Sequence, residues 1–395
     1  MRILTINCGS STLKFELFET AEGERSIARG VVDKIGGRGK AELTGESGER
    51  TVQPTAATDH GEATLQAIRL LDSSALLDRL EAVGHRVVHG GARFSGPALL
   101  DTEAEESIEE LAELAPLHNG PALAAIRAVR EALGPEMPQA AAFDTAFHSR
   151  MPRVARLFAL PRYLADEGVL RYGFHGLSYE YVMGELRALA PEAAAGRVVI
   201  AHLGNGASMV AVRGGVGVDT TMGFTPTGGL VMGTRSGDLD PGVLLYLLEE
   251  KGLSPPEMGE LINRQAGLVG VSETTADMRD LLGREASDPR AAEAVALFCY
   301  QAKKFLGALA AVLRGLDSLV FTGGIGEHSA TVRDRICEGL GFLGVRLDRS
   351  RNTENASIIS CEGNPVTVRV IPTDENLMIA RHTRRLVRST TKEGT

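Results

Sequence analysis

The chain has 395 residues, of which 43% are hydrophobic and 24% charged, and its formal net charge is −9. This length exceeds what one hydrophobic core usually serves, so two domains are expected. The acidic balance and the lack of a long basic run argue against nucleic acid as the main partner, so local basic residues must bind any anionic substrate.

The cysteines and the chain start bear on the compartment. Cys8, Cys299, Cys337 and Cys361 are far apart and have no C-x-x-C spacing, which predicts free thiols rather than a disulfide framework or a zinc site. Met1 leads directly into a predicted strand rather than a signal peptide, and no apolar run is expected to span a membrane. A cytoplasmic enzyme is therefore expected.

The first stretch predicts a β-hairpin. Residues 2–6 form an apolar strand, and Leu13, Phe15 and Leu17 alternate as in a second strand. The turn between them, at 9–11, lets backbone N–H groups approach an oxyanion, and Lys14 adds a positive charge. It is not a Walker loop, because no Gly-Lys-Ser/Thr follows. An ordinary hairpin, in which Gly and Ser simply favour the turn, remains open at this point.

The rest of the first half alternates helices and strands. The predicted order is helix 62–80, strand 82–88, helices 102–115 and 121–133, and strand 139–143, which ends beside Asp144. Thr102 with Glu105 predicts a capping box at the start of the third of these elements. The pattern loosens at 151–161, which is a reasonable domain boundary.

The second half repeats some of this organisation. Residues 197–212 again predict strand, Gly-rich turn and strand, which suggests duplication, although two hairpins are weak evidence for it. The loop 220–242, with Arg235, is long enough to be functional. The longest helix is predicted from Asp288 to Arg314. A strand at 318–321, a glycine turn at 322–327, an N-cap at Ser329, a strand at 366–371 and a final helix from Glu375 complete the chain.

Three Gly-rich turns, at 9–11, 204–206 and 323–326, each follow an apolar strand. Together they suggest a nucleotide held between two domains. The last of them is not a dinucleotide fingerprint, because the final glycine would fall on Ser329.

Several charged side chains in these segments suggest phosphoryl chemistry. Arg86, in an apolar strand, needs an anionic partner, either a substrate or a buried carboxylate in a structural salt bridge. Arg86, Arg235 and His175 could neutralise a transferring phosphoryl group. Polar oxygens near strand ends, the type of ligand that Mg²⁺ takes, come from Asn7, Asp144 and Glu375.

These segments resemble the acetate kinase family, in order and from Met1 to about Arg381. The matching motifs lie at 6–11, 84–91, 115–119, 143–148, 172–176, 202–206, 222–226, 233–238 and 321–327. The resemblance implies an α/β fold with two duplicated actin-like ATPase (ribonuclease H-like) domains and an active-site cleft between them. The first would be residues 1–150 plus about 376–395, the acid-binding side closed by the last helix. The second, 151–375, would bind the nucleotide and form a homodimer.

The implied reaction is reversible, Mg²⁺-dependent (Mn²⁺ possible) transfer from ATP to acetate, giving acetyl phosphate and ADP. Asp144, His175, Arg235 and Arg86 would be catalytic, with Arg86 binding the acetate carboxylate and Asn7 and Glu375 holding the metal. The residues matching a pocket for the acetate methyl are Val88, Leu117, Phe174 and Pro226. The residues matching ATP contacts are Lys14, His202, Leu203, Gly204, Asn205, Gly206, Asp277, Met278, Arg279, Gly324, Ile325, Gly326, Glu327 and His328.

The chain departs from the family pattern at three positions: Tyr179 stands where His is frequent, Met278 where Phe is common, and Cys8 where Ala is usual. Because acetate is already ionised at neutral pH, Asp144 is expected to orient an arginine or a metal-bound water rather than act as a base. The alternatives are a propionate or butyrate kinase of the same family and a nucleotide-driven binding module of the actin/Hsp70 type.

Overall fold

The computed structural model describes the backbone of residues 1–21, 23–112 and 116–393, and their side chains apart from those of 116–118 and 390–393. The chain divides into two compact units. Unit 1 comprises residues 1–149 and the C-terminal stretch from residue 374, and unit 2 comprises residues 150–373.

Unit 1 is built on an eight-stranded sheet with the order β5-β4-β3-β2-β1-β6-β8-β7. The strands are β1 Arg2–Cys8, β2 Leu13–Glu19, β3 Arg25–Val32, β4 Gly39–Gly45, β5 Arg50–Thr55, β6 Leu80–Val87, β7 Ala98–Leu99 and β8 Gln139–Phe143. β1 runs antiparallel to β2 and parallel to β6, which is parallel to β8. The carboxyl ends of β1, β6 and β8 therefore lie at one edge of the sheet.

Three helices follow in the first part of unit 1: α1 His60–Ser73, α2 Thr102–Ala112 and α3 Pro116–Leu133, with a 3₁₀ turn at Ala146–His148. α1 ends earlier than predicted, because Ala75 adopts a left-handed conformation with φ 53°. The predicted capping box at Thr102 is wrong. Asp101 accepts from the N–H of Ala104 at 2.8 Å instead, one residue earlier.

Unit 2 contains a five-stranded sheet with the order β11-β10-β9-β12-β13. The strands are β9 Arg197–Leu203, β10 Ala207–Arg213, β11 Val216–Thr220, β12 Ser318–Thr322 and β13 Thr367–Val370. β9 is antiparallel to β10 and parallel to β12, which is parallel to β13. The same order and directions occur in β3-β2-β1-β6-β8, so the duplication suggested by the two hairpins is present in the sheets.

The helices of unit 2 surround this sheet and its loops. They are α4 Arg153–Arg156, α5 Arg162–Asp166, α6 Gly176–Leu189, α7 Pro191–Ala195, α8 Pro241–Glu249, α9 Pro255–Glu260, α10 Gly267–Ser272, α11 Met278–Arg284, α12 Pro289–Leu313, α13 Gly323–His328, α14 Ala330–Cys337 and α15 Arg349–Thr353, with a π-helical turn at Leu261–Gln265 and a 3₁₀ turn at Leu340–Leu343. The glycine turn predicted at 322–327 is the short helix α13, which is a correction. Ser329 caps α14 as predicted.

α12 also corrects the expectation that no apolar run reaches the length of a membrane span. By length and composition alone it is long and apolar enough to cross a membrane. Helices of protein cores meet the same test, and its buried residues recur every three or four positions, from Ala291 to Leu313, against β10 and neighbouring helices of unit 2.

The chain ends with α16, Glu375–Glu393, which packs on β1, β6 and β8 of unit 1. Its close approach depends on Gly84, where an added Cβ would collide with Thr383 and Ile379. Glu375, the first residue of α16, is placed beside Asn7 of β1 by this packing.

Candidate active-site residues

Arg86, on β6 of unit 1, is fixed by a buried carboxylate. Its Nε donates to Oδ1 and Oδ2 of Asp144 at 3.1 and 3.2 Å, and its Nη2 donates to Oδ2 at 2.6 Å. Asp144 follows β8 and is fully buried, whereas Arg86 keeps 15% of its side chain exposed. The parallel pairing of β6 with β8, which sets Val87 opposite Phe143, brings the two side chains together.

The guanidinium of Arg86 has further donors. Its Nη1 donates to Oδ1 of Asn7 at 3.0 Å, and its Nε lies 4.0 Å from Oε2 of Glu375. Burial by itself would lower the pKa of Arg86, but the charges of Asp144 and Glu375 outweigh this and raise its pKa above the usual range. Among the described residues these bonds use three of the five N–H groups, so two remain for an anionic ligand.

Asn7 and Glu375, the predicted metal ligands, are adjacent. Nδ2 of Asn7 donates to Oε2 of Glu375 at 3.1 Å, so an amide and a carboxylate lie within one hydrogen bond of each other. No group of three or more His, Cys, Asp or Glu that could hold a metal occurs in the described ranges. Two oxygen ligands from the protein suit Mg²⁺, which keeps water and phosphate oxygens in its shell.

Lys14 lies opposite Asn7 in the β1–β2 pairing, so both side chains are on the same face of the sheet. The Lys14 side chain is exposed. The turn between the strands is held by a bond from the N–H of Gly9 to the carbonyl of Thr12 at 2.7 Å, and by His60 Nε2, 2.8 Å from the Gly9 carbonyl. The hairpin thus presents Asn7 and Lys14 on a fixed support.

The four residues predicted to line the methyl pocket divide between the units. Val88 belongs to unit 1 and is buried, and Phe174 and Pro226 belong to unit 2 and are also buried. Leu117 lies outside the residues whose side chains are described.

In unit 2, His175 and His202 form a stacked pair, with ring centroids 4.2 Å apart and an interplanar angle of 24°. Nδ1 of His175 is 2.8 Å from Oγ of Ser208, and Nδ1 of His202 is 2.8 Å from Oγ of Ser178. His175 precedes α6 and has a left-handed backbone with φ 59°, an uncommon conformation for a residue other than glycine. Such conformations cluster at functional sites.

Arg235 lies near the second glycine turn. Its Nη1 donates to the carbonyl of Pro226 at 2.9 Å. A Cβ added to Gly206 would stand 3.2 Å from Nε2 of His175 and 3.8 Å from Nη1 of Arg235. The two side chains predicted to stabilise a transition state therefore converge on this turn. Next to it, Leu203 is buried, while Gly204 and Asn205 are more accessible.

The segment predicted as the third glycine turn is the start of α13, at Gly323, where φ is +74° and a Cβ would lie 2.8 Å from the carbonyl oxygen of Leu203. A Cβ on Gly204 would be 3.9 Å from the N–H nitrogen of Gly324, so the second and third turns are close. Oε1 of Glu327 accepts from the N–H of Gly323 at 2.9 Å and of Thr373 at 3.1 Å. Its carboxylate thus braces the turn, whereas Gly324 and His328 are exposed, Ile325 is half-buried and Gly326 is buried.

A residue that the sequence did not indicate, Arg333 on α14, supports this turn. It is fully buried, and its five N–H groups donate at 2.6 to 2.9 Å to the carbonyls of Gly326, Glu327 and Asn352 and to the side chains of Asn352 and Asn355. No carboxylate pairs with it among the described residues, and burial lowers its pKa to about 10. Charged residues are rarely fully buried, so an arginine in a predicted helix is expected to face solvent. The sequence therefore did not indicate the buried position of Arg333.

The third predicted ATP segment begins α11. Asp277 caps the helix by accepting from the N–H of Arg279 at 2.8 Å, and the two side chains form an exposed ion pair at 2.8 Å. The hydrogen bond and charge of Arg279 lower the pKa of Asp277. Met278 is buried, so among these three residues only the ion pair is accessible.

Known proteins match this chain over nearly all of its length. A sequence model of the acetokinase family matches residues 2–381. The acetate kinase of Rhodopseudomonas palustris (strain ATCC BAA-98 / CGA009) is 48% identical over 97% of this chain and 98% of its own. The crystal structure of Porphyromonas gingivalis acetate kinase is 38% identical, with a TM-score of 0.89 over 98% of this chain and 99% of that one. A propionate kinase from Francisella tularensis subsp. tularensis SCHU S4 is 36% identical, with a TM-score of 0.92 and the same coverage.

Proposed function

The chain belongs to the acetokinase family, and from this premise we propose that it catalyses reversible phosphoryl transfer between ATP and acetate. A carboxylate oxygen of acetate attacks the γ-phosphorus in line, the new O–P bond forms, and the bond to the β–γ bridging oxygen breaks. The products are acetyl phosphate and ADP. The observation that carries this proposal is the guanidinium of Arg86, which is oriented by a buried carboxylate and retains two N–H groups.

Arg86 binds the acetate carboxylate in this scheme. An arginine offers two parallel N–H groups to a carboxylate, a geometry that fixes the orientation of the acid as well as its charge. Val88, Leu117, Phe174 and Pro226 are proposed to surround the methyl group. This assignment favours a short acid.

Asp144 is proposed to position Arg86 rather than to remove a proton. Free carboxylic acids titrate near pH ~4, so acetate needs no general base at neutral pH. The three hydrogen bonds that two N–H groups of Arg86 donate to Asp144 support an orienting role.

His175 and Arg235 are proposed to stabilise the transition state. In phosphoryl transfer, negative charge spreads over the equatorial oxygens, and positioned N–H donors lower the barrier. The convergence of His175 Nε2 and Arg235 Nη1 on Gly206 supports this assignment.

The nucleotide is proposed to contact the two close glycine turns, 202–206 and 324–328, and the 277–279 segment, with Lys14 directed at its phosphates. Backbone N–H groups of such turns bind phosphate oxygens where no side chain intervenes. A Cβ on Gly324 would meet nothing within 4 Å, so this turn is open to a ligand.

Kinases generally need a divalent cation. We infer that Mg²⁺, or Mn²⁺ in its place, would be held by Asn7 and Glu375 and would neutralise charge on the nucleotide phosphates when bound. The adjacency of the two side chains supports this choice.

The test is trapping of acyl phosphate as hydroxamate with ATP, Mg²⁺ and a series of short acids. We expect acid-dependent hydroxamate, largest with acetate. No acid-dependent product, with slow ATP hydrolysis that ignores the acid, would instead favour a nucleotide-driven binding module.

The similarity to a propionate kinase makes propionate a second candidate substrate. One extra methylene changes binding to an apolar pocket by about 1–3 kcal/mol. We therefore expect kcat/KM for acetate to exceed that for propionate by about 10-fold or more. A reversed ratio, or a preference for butyrate, would identify a different acid as the substrate. An equal ratio would contradict a preference for acetate.

We also propose a homodimer formed through α8. This nine-residue helix has no buried residue, and Val243, Leu245 and Tyr246 are 43%, 55% and 50% exposed. Exposed apolar side chains that are grouped on one helix are typical of protein interfaces. Light scattering after size-exclusion chromatography should give twice 41.9 kDa for the native chain and a monomer for Leu245→Asp.

We place the enzyme in the cytoplasm. All four cysteines are free thiols, and those of Cys8, Cys299 and Cys337 are buried. Free thiols persist in reducing compartments, which supports the assignment. Fractionation of cells producing the protein tests it.

A further inference from the structure

Each histidine of the stacked pair contacts a serine that lies near the other histidine in the fold. Ser178 follows His175 on α6 and contacts His202, whereas Ser208 lies opposite His202 in the β9–β10 pairing and contacts His175. In both imidazole rings, Nδ1 contacts a serine hydroxyl, and Nε2 lies on the side of the ring away from that serine.

Only the serine of His175 has a further partner in the described hydrogen bonds. The hydroxyl of Tyr179 bonds to Oγ of Ser208, which in turn bonds to Nδ1 of His175. Tyr179 and Ser208 are fully buried. Tyr179 follows His175 by one helical turn, and its N–H donates to the His175 carbonyl at 3.1 Å.

The chemistry of the three side chains sets which of them donates in the hydrogen-bonded series Tyr179–Ser208–His175. A phenol, with a pKa near ~10, is a stronger hydrogen-bond donor than the hydroxyl of serine. When Tyr179 donates to Ser208, the Ser208 hydroxyl donates to Nδ1. A neutral imidazole that accepts at Nδ1 carries its proton on Nε2.

We propose that Tyr179 is a positioning residue that, through Ser208, keeps the proton of His175 on Nε2. The Nε2–H group then donates to the transferring phosphoryl group near Gly206 and Arg235, where Nε2 lies. This inference rests on the proposed function for its consequence, but the position of the proton is a property of the protein alone.

The identity of residue 179 affects how the hydrogen bonds to His175 depend on pH. A histidine can either donate or accept and changes charge between pH 5 and 8, whereas a tyrosine stays neutral and remains a donor. Tyr179 therefore fixes the direction of the hydrogen-bond chain over that pH range.

The first test is the tautomer itself. Ring ¹⁵N chemical shifts of histidine-labelled protein distinguish Nδ1–H from Nε2–H, and the spectrum of His175→Gln assigns the signal. We expect Nε2–H in the native protein and a mixture in Tyr179→Phe, which keeps the buried ring and removes only the hydroxyl. A native spectrum with the proton on Nδ1 would overturn the inference, whether or not any variant folds.

The second test is kinetic. Loss of one positioning hydrogen bond is expected to lower kcat of Tyr179→Phe about tenfold with KM for acetate and ATP unchanged. Tyr179→His should recover kcat but make it vary with pH between 5 and 8. The matched control, Ser178→Ala, removes the serine of His202 and should raise KM for ATP without changing the His175 signal.

The outcomes separate the two proposals. An active native enzyme whose tautomer and kcat are unchanged in Tyr179→Phe contradicts the role of Tyr179. A native protein that forms no acyl phosphate contradicts the proposed function, while the ¹⁵N spectrum still decides where the proton lies.

Discussion

The two hairpins, β1–β2 and β9–β10, occupy the same place in two sheets of the same order, yet they carry different chemistry. The pair before the turn is Asn7 with Lys14 in unit 1 and His202 with Ser208 in unit 2. The first gives an amide and an ammonium group, and the second gives an imidazole and the hydroxyl that holds His175.

The neighbouring strands extend this difference. In unit 1 the ends of β6 and β8 supply Arg86 and Asp144, a charged pair that is hydrogen-bonded to Asn7. In unit 2 the end of β12 leads into the glycines of α13, and the buried Arg333 donates to the carbonyls of Gly326 and Glu327. At these strand ends unit 1 presents ionised side chains, whereas unit 2 presents backbone supported by a buried arginine.

The shared sheet fixes where functional groups stand but not what they are. Parallel strands bring their carboxyl ends to one edge, so any side chain placed there meets its neighbours. In the proposed function, acid and metal binding need charges in a fixed geometry, which unit 1 would supply. Nucleotide binding needs close approach to phosphates, which unit 2 would supply.

The largest expected effect comes from breaking the charged pair of unit 1. Arg86→Leu would remove the guanidinium that neutralises the buried Asp144 carboxylate, which costs about 3–5 kcal/mol of unfolding free energy. We expect activity to fall about 10³-fold, because acid binding is lost as well. Urea unfolding and the hydroxamate assay measure the two effects.

The double variant Arg86→Leu/Asp144→Leu distinguishes the two effects. Stability should recover in large part, since the buried carboxylate of Asp144 is removed together with Arg86, while activity should not. As a control, Arg264→Leu breaks an exposed pair with Glu260 at 3.6 Å and should cost no more than about 1 kcal/mol. Recovery of activity in the double variant would mean that Arg86 serves only the fold.

The corresponding change in unit 2 is Arg333→Met. It removes five hydrogen bonds from the protein interior, at an expected cost of about 2–4 kcal/mol. Because the Gly323–His328 helix loses its support, KM for ATP should rise severalfold and KM for acetate should not. Calorimetry and steady-state kinetics measure these effects.

Arg335, on the same helix, provides the matched control. Its ion pair with Glu285 at 2.7 Å is partly exposed, so Arg335→Met should change stability by no more than about 1 kcal/mol and leave both KM values as they are. An equal rise in both KM values for Arg333→Met would contradict a role confined to the nucleotide turn.

Much of the fold was predictable, because strong local patterns set it. A short apolar run predicted β8 at its observed bounds, and Asp288-Pro289 and Ser329 marked helix starts. The glycines at 323–326 predicted a turn, whereas tertiary support allows a short helix there. The fold follows mainly from periodicity and capping.

The site was predictable in part. Strand ends in register bring Arg86 to Asp144, a consequence that the pattern of parallel strands suggests. The contacts of Ser208 with His175 and of Arg333 with the Gly326 carbonyl join elements distant in sequence, and no local signal encodes them. The roles of single residues remain predictions that the variants above test.

A smaller effect is expected from acid. His85, on β6 beside Arg86, is buried with Nε2 bonded to Gln139 at 2.7 Å, and burial lowers its pKa from near 6.5 to about 4. As the pH falls, the unfolded chain therefore takes up this proton at a higher pH than the folded protein does. The contribution of the neutral, buried His85 to the free energy of unfolding is present above pH ~6.5 and is lost as the pH falls towards 4. The loss approaches about 3 kcal/mol.

His85→Gln removes the titrating group, so its urea midpoint should fall less between pH 7 and 4.5 than that of the native protein. His328→Gln, which changes an exposed side chain, should follow the native curve. Because His85 belongs to unit 1, unit 1 should lose stability first in acid. Equal slopes for the native protein and His85→Gln would contradict this assignment.

The smallest effect is expected at Cys8, the last residue of β1. It pairs with Leu13 as Leu203 pairs with Ala207 in the other hairpin, so both positions serve apolar packing. Burial raises the pKa of Cys8 to about 12 despite the opposing charge of Arg86, which keeps the thiol neutral and unreactive. We expect Cys8→Ala to change kcat/KM less than about threefold, in line with a lost contact of below ~1 kcal/mol.

Thiol labelling tests the burial of Cys8 directly. Iodoacetamide should label the half-buried Cys361 first in native protein. Labelling of Cys8 before Cys361 would show that the first hairpin opens more readily than the second.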